Sequence, residues 1–112
     1  MGLSTHILDT SKGRPAANVE VRLSRLEGTT AKELVRASTD ADGRVKSLIP
    51  DGQALQAGTY ALRFDTAAYW RAQGLSGFYP HVDITFTVER PTEHHHVPLL
   101  LNPFGFSTYR GS

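Results

Sequence analysis

The segment Val82-Asp83-Ile84-Thr85-Phe86-Thr87-Val88 alternates apolar and polar residues without a break. Side chains on a β-strand point to opposite faces in turn, so this alternation predicts a strand with one face on a core and the other toward water. The same period of two recurs at residues 19–24 and 60–65. The sequence therefore predicts a protein built from half-buried strands.

Further short strands are predicted at residues 3–8, 33–37, 44–48 and 94–101 and in the tail from Phe106, with turn residues at 12–15, 40–43, 50–52 and 102–103. Only residues 66–74 break the alternation; there Thr66 can cap and Gly74 can end a short helix. About eight strands and one helix in a single domain, residues 1–112, predict an all-β, two-sheet antiparallel sandwich.

Charge, hydropathy and cysteine content exclude several classes of function. The net charge is +1 with dispersed Lys and Arg, so no nucleic-acid surface is expected. No apolar run could span a bilayer and the first residues do not resemble a secretory signal, so we expect no membrane partner and a cytoplasmic location. The chain has no Cys, which excludes disulfides and thiolate catalysis.

Two predicted strands, 3–8 and 94–101, carry apolar residues on both faces. One sheet face of a sandwich is normally wet, so an apolar outer face indicates a cover, most simply a second copy of the chain. Alternation places His6 on the outer face of the first strand and His94 and His96 on one face of the other, with His95 opposite. A pocket containing histidines is therefore predicted at a subunit interface.

Several interpretations of these histidines stay open at this point. They fit ordinary interface residues, and His94 and His96 could chelate a metal with His6, although no Cys or well-spaced acid completes such a site. We expect no metal and no cofactor. The common nucleophile motifs are absent, which leaves histidine acid–base chemistry with a cation for a developing anion. Arg44 follows the turn at 40–43 and could supply that cation.

The blocks that contain these residues resemble one family. The tail from Pro98 ends in Tyr109-Arg110-Gly111-Ser112 and is similar to the C-terminal signature of the 5-hydroxyisourate hydrolases, a transthyretin-related family. The resemblance extends over essentially the whole chain, through the blocks Leu3-Ser4-Thr5-His6-Ile7-Leu8-Asp9-Thr10, Gly13-Arg14-Pro15-Ala16, Asp42-Gly43-Arg44 and His94-His95-His96-Val97-Pro98-Leu99-Leu100. His95, Phe104 and Phe106 stand where the family often has Tyr.

The resemblance implies a transthyretin-like sandwich assembled as a homotetramer, a dimer of dimers, with catalytic pockets at the central interface. It implies hydrolysis of 5-hydroxyisourate to 2-oxo-4-hydroxy-4-carboxy-5-ureidoimidazoline in urate degradation, without a cofactor. The residues that it implies are catalytic His6, Arg44 and His96, and substrate-binding Tyr109, Arg110, Gly111 and Ser112.

Within that family reaction, we expect His6 and His96 to share water activation and proton delivery, and either could be the base. Arg44 would offset negative charge on the substrate oxygens, and the α-carboxylate of Ser112 could pair with a cation at the site. Two rival functions stay open: a small-ligand carrier like transthyretin, and a metal-dependent hydrolase.

Overall fold

The protein is described here by a computed structural model that covers residues 2–49 and 53–112; the turn predicted at 50–52 lies outside these residues. Within them the chain forms nine strands and one helix. In chain order these are β1 (Gly2–Asp9), β2 (Arg14–Pro15), β3 (Glu20–Glu27), β4 (Thr30–Ser38), β5 (Arg44–Val45), β6 (Gly58–Phe64), α1 (Thr66–Ala72), β7 (Val82–Val88), β8 (His94–Asn102) and β9 (Gly105–Thr108).

The strands form the two sheets of a sandwich, which confirms the predicted fold class. One sheet has the order β2-β1-β8-β9, with β5 also paired to β1, and the other has the order β4-β3-β6-β7. Every pairing is antiparallel except that of β1 with β8. These two strands can run parallel because the other sheet and α1 lie between them in the chain and supply the long connection that parallel strands need.

The core follows the alternation of the strands. Leu3, Thr5 and Ile7 of β1 are fully buried, whereas His6 on the opposite face is only half-buried. In β8, His95 points inward and is 5% exposed, while His94 is exposed and His96 half-buried. The prediction that His95 faces away from its two neighbours is confirmed.

The N-cap of helix α1 lies one residue before the predicted one. Asp65 is the N-cap, since its carboxylate accepts from the Ala68 N–H over 3.3 Å. The prediction that Thr66 caps the helix is wrong: its hydroxyl donates instead to the Tyr79 carbonyl over 2.9 Å.

No helix in the described residues has the length and apolar character needed to span a membrane. The strand predicted at 44–48 is shorter than expected: β5 ends at Val45, although the Leu48 N–H still donates to the Leu3 carbonyl over 2.8 Å.

Candidate active site

An open cavity of about 250 Å³ lies on the outer face of the sheet that contains β1 and β8. Three of the predicted site residues, Arg44, His96 and Ser112, come from β5, β8 and the tail and line it together. The other residues that line it are Ser4, Thr5, Val45, Lys46 and His94. Separate parts of the chain therefore bring a guanidinium group, imidazoles and hydroxyls to one surface.

Arg44 owes its position to the turn before it. The Asp40 carboxylate accepts from the backbone N–H groups of Asp42, at 2.9 Å, and Arg44, at 3.0 Å. Gly43 has a φ of +73°, and a Cβ there would lie 2.6 Å from the Ile7 carbonyl oxygen. The backbone of β1 thus approaches the turn so closely that only glycine fits. The predicted tight turn that presents Arg44 at a strand start is confirmed.

His6 lies directly opposite Arg44 in the antiparallel pairing of β1 with β5. Burial lowers the pKa of the His6 imidazole, and the Arg44 charge lowers it further, against a hydrogen bond to the Asp42 backbone. His6 does not line the 250 Å³ cavity itself. Because its strand partner Arg44 lines that cavity, His6 lies at the edge of the same group of residues.

His96 lies under the influence of the same charges. Burial lowers the pKa of its imidazole, and the charges of Arg44, His6 and His94 act in the same direction, opposed by a hydrogen bond to the Ser4 backbone. Because the shift disfavours the protonated ring, His96 is neutral over a wider pH range than an ordinary histidine. A neutral imidazole in a cavity beside a guanidinium can accept a proton from water.

Ser4 stands between two of the histidines. The parallel pairing of β1 with β8 places it opposite His96. Its Oγ lies 2.8 Å from His94 Nε2 and 2.8 Å from His96 Nδ1. Sequence analysis did not select Ser4 or Lys46 as site residues. Alternation put Ser4 on the same face as His6, which was the only signal available for it.

The C-terminal tail is divided between two surfaces. The Gly111 N–H donates to the His96 carbonyl over 2.9 Å, and Ser112 follows into the 250 Å³ cavity. Tyr109 and Arg110 instead line a neighbouring cavity of about 240 Å³. Tyr109 is 60% exposed, and the Arg110 guanidinium forms an ion pair with the Glu93 carboxylate at 3.2 Å. His96 lines both cavities, so within one chain Ser112 shares a cavity with His96 and Arg44, whereas Tyr109 and Arg110 share one with His96 but not with Arg44.

The geometry of the histidines also bears on metal binding. Among residues 2–49 and 53–112, no three His, Asp or Glu side chains lie close enough together to hold a metal ion. One ring nitrogen of His94 and one of His96 lie at hydrogen-bond distance from the Ser4 hydroxyl. This arrangement is suited to proton transfer and hydrogen bonding.

The chain is similar to known proteins in both sequence and structure. A sequence model of the HIUase/Transthyretin family matches residues 3–111. The chain is 46% identical, over 112 aligned residues, to 5-hydroxyisourate hydrolase of Mus musculus, with 98% of this chain and 94% of the mouse protein covered. The structure of Klebsiella pneumoniae 5-hydroxyisourate hydrolase is similar with a TM-score of 0.86 and 40% identity, and both chains are fully covered.

The same fold also occurs in a protein that binds a ligand. Sea bream transthyretin in complex with thyroxine has a TM-score of 0.89 and 33% identity, covering 99% of this chain and 95% of that chain. Backbone similarity therefore does not separate a hydrolase from a ligand-binding protein. Only the side chains of the site can separate them.

Proposed function

The chain belongs to the HIUase/Transthyretin family, and from that premise we propose that it hydrolyses 5-hydroxyisourate. The observation that carries the proposal is the meeting of Arg44, His96 and Ser112 in one cavity, with His6 paired opposite Arg44. The greater sequence identity to hydrolases than to transthyretin supports an enzyme of this type.

The proposed reaction opens the six-membered ring of the substrate at an amide bond and gives 2-oxo-4-hydroxy-4-carboxy-5-ureidoimidazoline. A water molecule attacks the carbonyl carbon and loses one proton to a neutral imidazole. The carbon–nitrogen bond then breaks, and the leaving nitrogen takes a proton from an imidazolium. His6 and His96 share these two tasks, each worth roughly a hundred- to ten-thousand-fold in rate.

Arg44 is proposed to stabilise the oxyanion that forms when water attacks. Its guanidinium is permanently charged and can hold two oxygens at once, which suits a substrate rich in carbonyl groups. The same charge lowers the pKa of both His6 and His96, and Arg44 lies directly opposite His6 in the strand pairing. Arg44 therefore stabilises charge and also keeps the two imidazoles neutral, the form that can accept a proton.

The tail is proposed to bind substrate. Ser112 and Gly111 lie beside His96, and the hydroxyl of Ser112 is available to orient a substrate carbonyl. Tyr109 and Arg110 are proposed to complete the pocket in an assembly of residues 1–112, one domain per subunit, as a homotetramer of two dimers. The aromatic rings of Phe104 and Tyr109 are exposed in the single chain, which supports the proposal that a partner subunit covers this surface in the assembly.

The experiment that tests this function generates 5-hydroxyisourate with urate oxidase and follows the decay of its ultraviolet absorbance. Catalytic amounts of the protein are expected to accelerate the decay, with and without a chelator. Unchanged decay together with tight binding of a small ligand would identify a carrier instead. Activity that disappears with the chelator and returns with a metal would identify a metal-dependent hydrolase.

A further inference from the structure

The hydroxyl of Ser4 bridges two imidazoles. Ser4 is only 8% exposed, and its Oγ lies 2.8 Å from a ring nitrogen of each of His94 and His96. A hydroxyl has one proton to donate, so Ser4 can donate to one ring only. It must accept from the other ring, and the position of the proton on His96 is thereby linked to that on His94.

Two arrangements of protons satisfy this bridge when both rings are neutral. In the first, His96 carries its proton on Nδ1 and donates it to Ser4, which donates its own proton to His94 Nε2. In the second, the order is reversed and His96 carries its proton on Nε2. Only the first leaves a lone pair on His96 Nε2, because a neutral imidazole has one protonated nitrogen.

The backbone of Ser4 selects the first arrangement. The His96 ring also forms a hydrogen bond with the Ser4 backbone, one that favours its protonated form. Such a bond has a carbonyl oxygen as acceptor, and a carbonyl never donates. Of the two ring nitrogens of His96, Nδ1 is the one that faces Ser4, 2.8 Å from its Oγ, on the strand paired opposite. A proton on Nδ1 is therefore directed at Ser4, as in the first arrangement.

The position of His94 completes the bridge. Its ring lies against Gly2, where a Cβ would stand 3.1 Å from His94 Nδ1. The parallel register pairs Gly2 with His94, so the residue without a side chain lies where the ring needs space. His94 is thereby held with Nε2 toward Ser4, ready to accept its hydroxyl proton.

We propose that Ser4 is a positioning residue that holds His96 in the Nδ1–H tautomer, with Nε2 free to act as the base, through a hydrogen-bonded bridge to His94. The catalytic consequence rests on the proposed function, but the tautomer does not. The charged and titratable groups that act on His96 are Arg44, His6 and His94. Ser4 adds no charge to this group; it decides which nitrogen of His96 carries the proton.

The first test is nuclear magnetic resonance of the intact protein with ¹⁵N-labelled histidine, at a pH where the rings are neutral. The ¹⁵N shifts of His96 are expected to show a protonated Nδ1 and an unprotonated Nε2. Ser4→Ala is expected to mix the two tautomers, and Ser4→Thr, which keeps a hydroxyl, to restore the preference. Ser38→Ala, an exposed serine of the other sheet, is the matched control and is expected to change nothing.

The second test measures hydrolysis. Ser4→Ala is expected to lower kcat by about tenfold to a hundredfold, less than removal of a general base, with KM changed by less than about threefold and with an unchanged unfolding temperature. Ser4→Thr should recover most of kcat. A proton on Nε2 of His96, or a tautomer that Ser4→Ala leaves unchanged, would overturn the proposal. So would a Ser4→Ala enzyme of full kcat, whereas a protein inactive on 5-hydroxyisourate would defeat only the proposed function.

Discussion

Gly111 lies against the imidazole of His96 so closely that a Cβ on it would stand 2.4 Å from His96 Cδ2. The Gly111 N–H also donates to the His96 carbonyl over 2.9 Å. The tail is therefore held beside the ring that we propose as a base, and only a residue without a side chain fits there.

Gly111→Ala is accordingly expected to displace the tail and Ser112 from the cavity. We expect kcat/KM to fall by about tenfold or more, since small misplacements of positioning groups have large effects on rate. Gly105→Ala is the matched control on the same tail, because the nearest atoms to its Cβ would be 3.7 Å away. Steady-state kinetics of the two variants decide the point, and equal activities would contradict it.

Arg44→Ala is expected to lower kcat by about a hundredfold to a thousandfold, the usual cost of losing one oxyanion donor. Arg44→Lys keeps the charge but loses the planar fork, so it should recover only part of the rate. Arg36→Ala, which removes an exposed arginine paired with Glu33 in the other sheet, serves as the control. Full turnover by Arg44→Ala would remove the proposed oxyanion role.

The pH dependence follows from the lowered pKa of His6 and His96. As bases they work when neutral, so the acid limb of kcat/KM should be centred below the ordinary histidine value of 6.5. Arg44→Ala removes a charge that lowers both values, so its acid limb should move to higher pH. A wild-type acid limb centred above 6.5 would contradict this prediction.

The same shifts make a prediction for stability. His6 and His96 have a lower pKa in the folded chain than in the unfolded chain. As pH falls, the unfolded chain therefore binds protons at these residues first, and the free energy of unfolding decreases. The loss should extend from 6.5 down through the folded-state values and stop there. Chemical unfolding of the wild type and of a His6→Gln, His96→Gln double variant measures this; the double variant should lose less stability across that window.

Two glycines with similar backbone angles should respond differently to alanine. Gly13 has a φ of +65° and open space for 4 Å around the position of a Cβ, whereas Gly43 has a φ of +73° and a Cβ there would lie 2.6 Å from the Ile7 oxygen. Gly13→Ala should cost about 1 kcal/mol for its left-handed backbone. Gly43→Ala should cost about 3 kcal/mol and also lower activity by shifting Arg44. Equal losses of stability in urea unfolding would show that the contact with Ile7 does not matter.

Much of the site was predictable because strand alternation is a local property. A period of two assigned His95 to the core and His94 and His96 to the outer face, and the structure confirms this arrangement. The turn at 40–43 also follows from local chemistry, since Asp40 accepts from the backbone of the residues after it. The N-cap was assigned to Thr66 in error because Asp65 and Thr66 are both good caps, and the contact of Thr66 with Tyr79 is long-range.

The core-facing residues, the strand start at Arg44 and the family resemblance could all be read from the sequence. The parallel pairing of β1 with β8, the place of Ser4 between His94 and His96, and the bridge from Gly111 to His96 depend on the tertiary structure, as does the separation of Tyr109 from the cavity that contains Arg44. The difference arises from the register in which the strands pair. Alternation fixes the face of each side chain, but shifting one strand by two residues preserves every face and changes every neighbour. The register between distant segments is fixed by packing of the whole sandwich, which no local pattern contains.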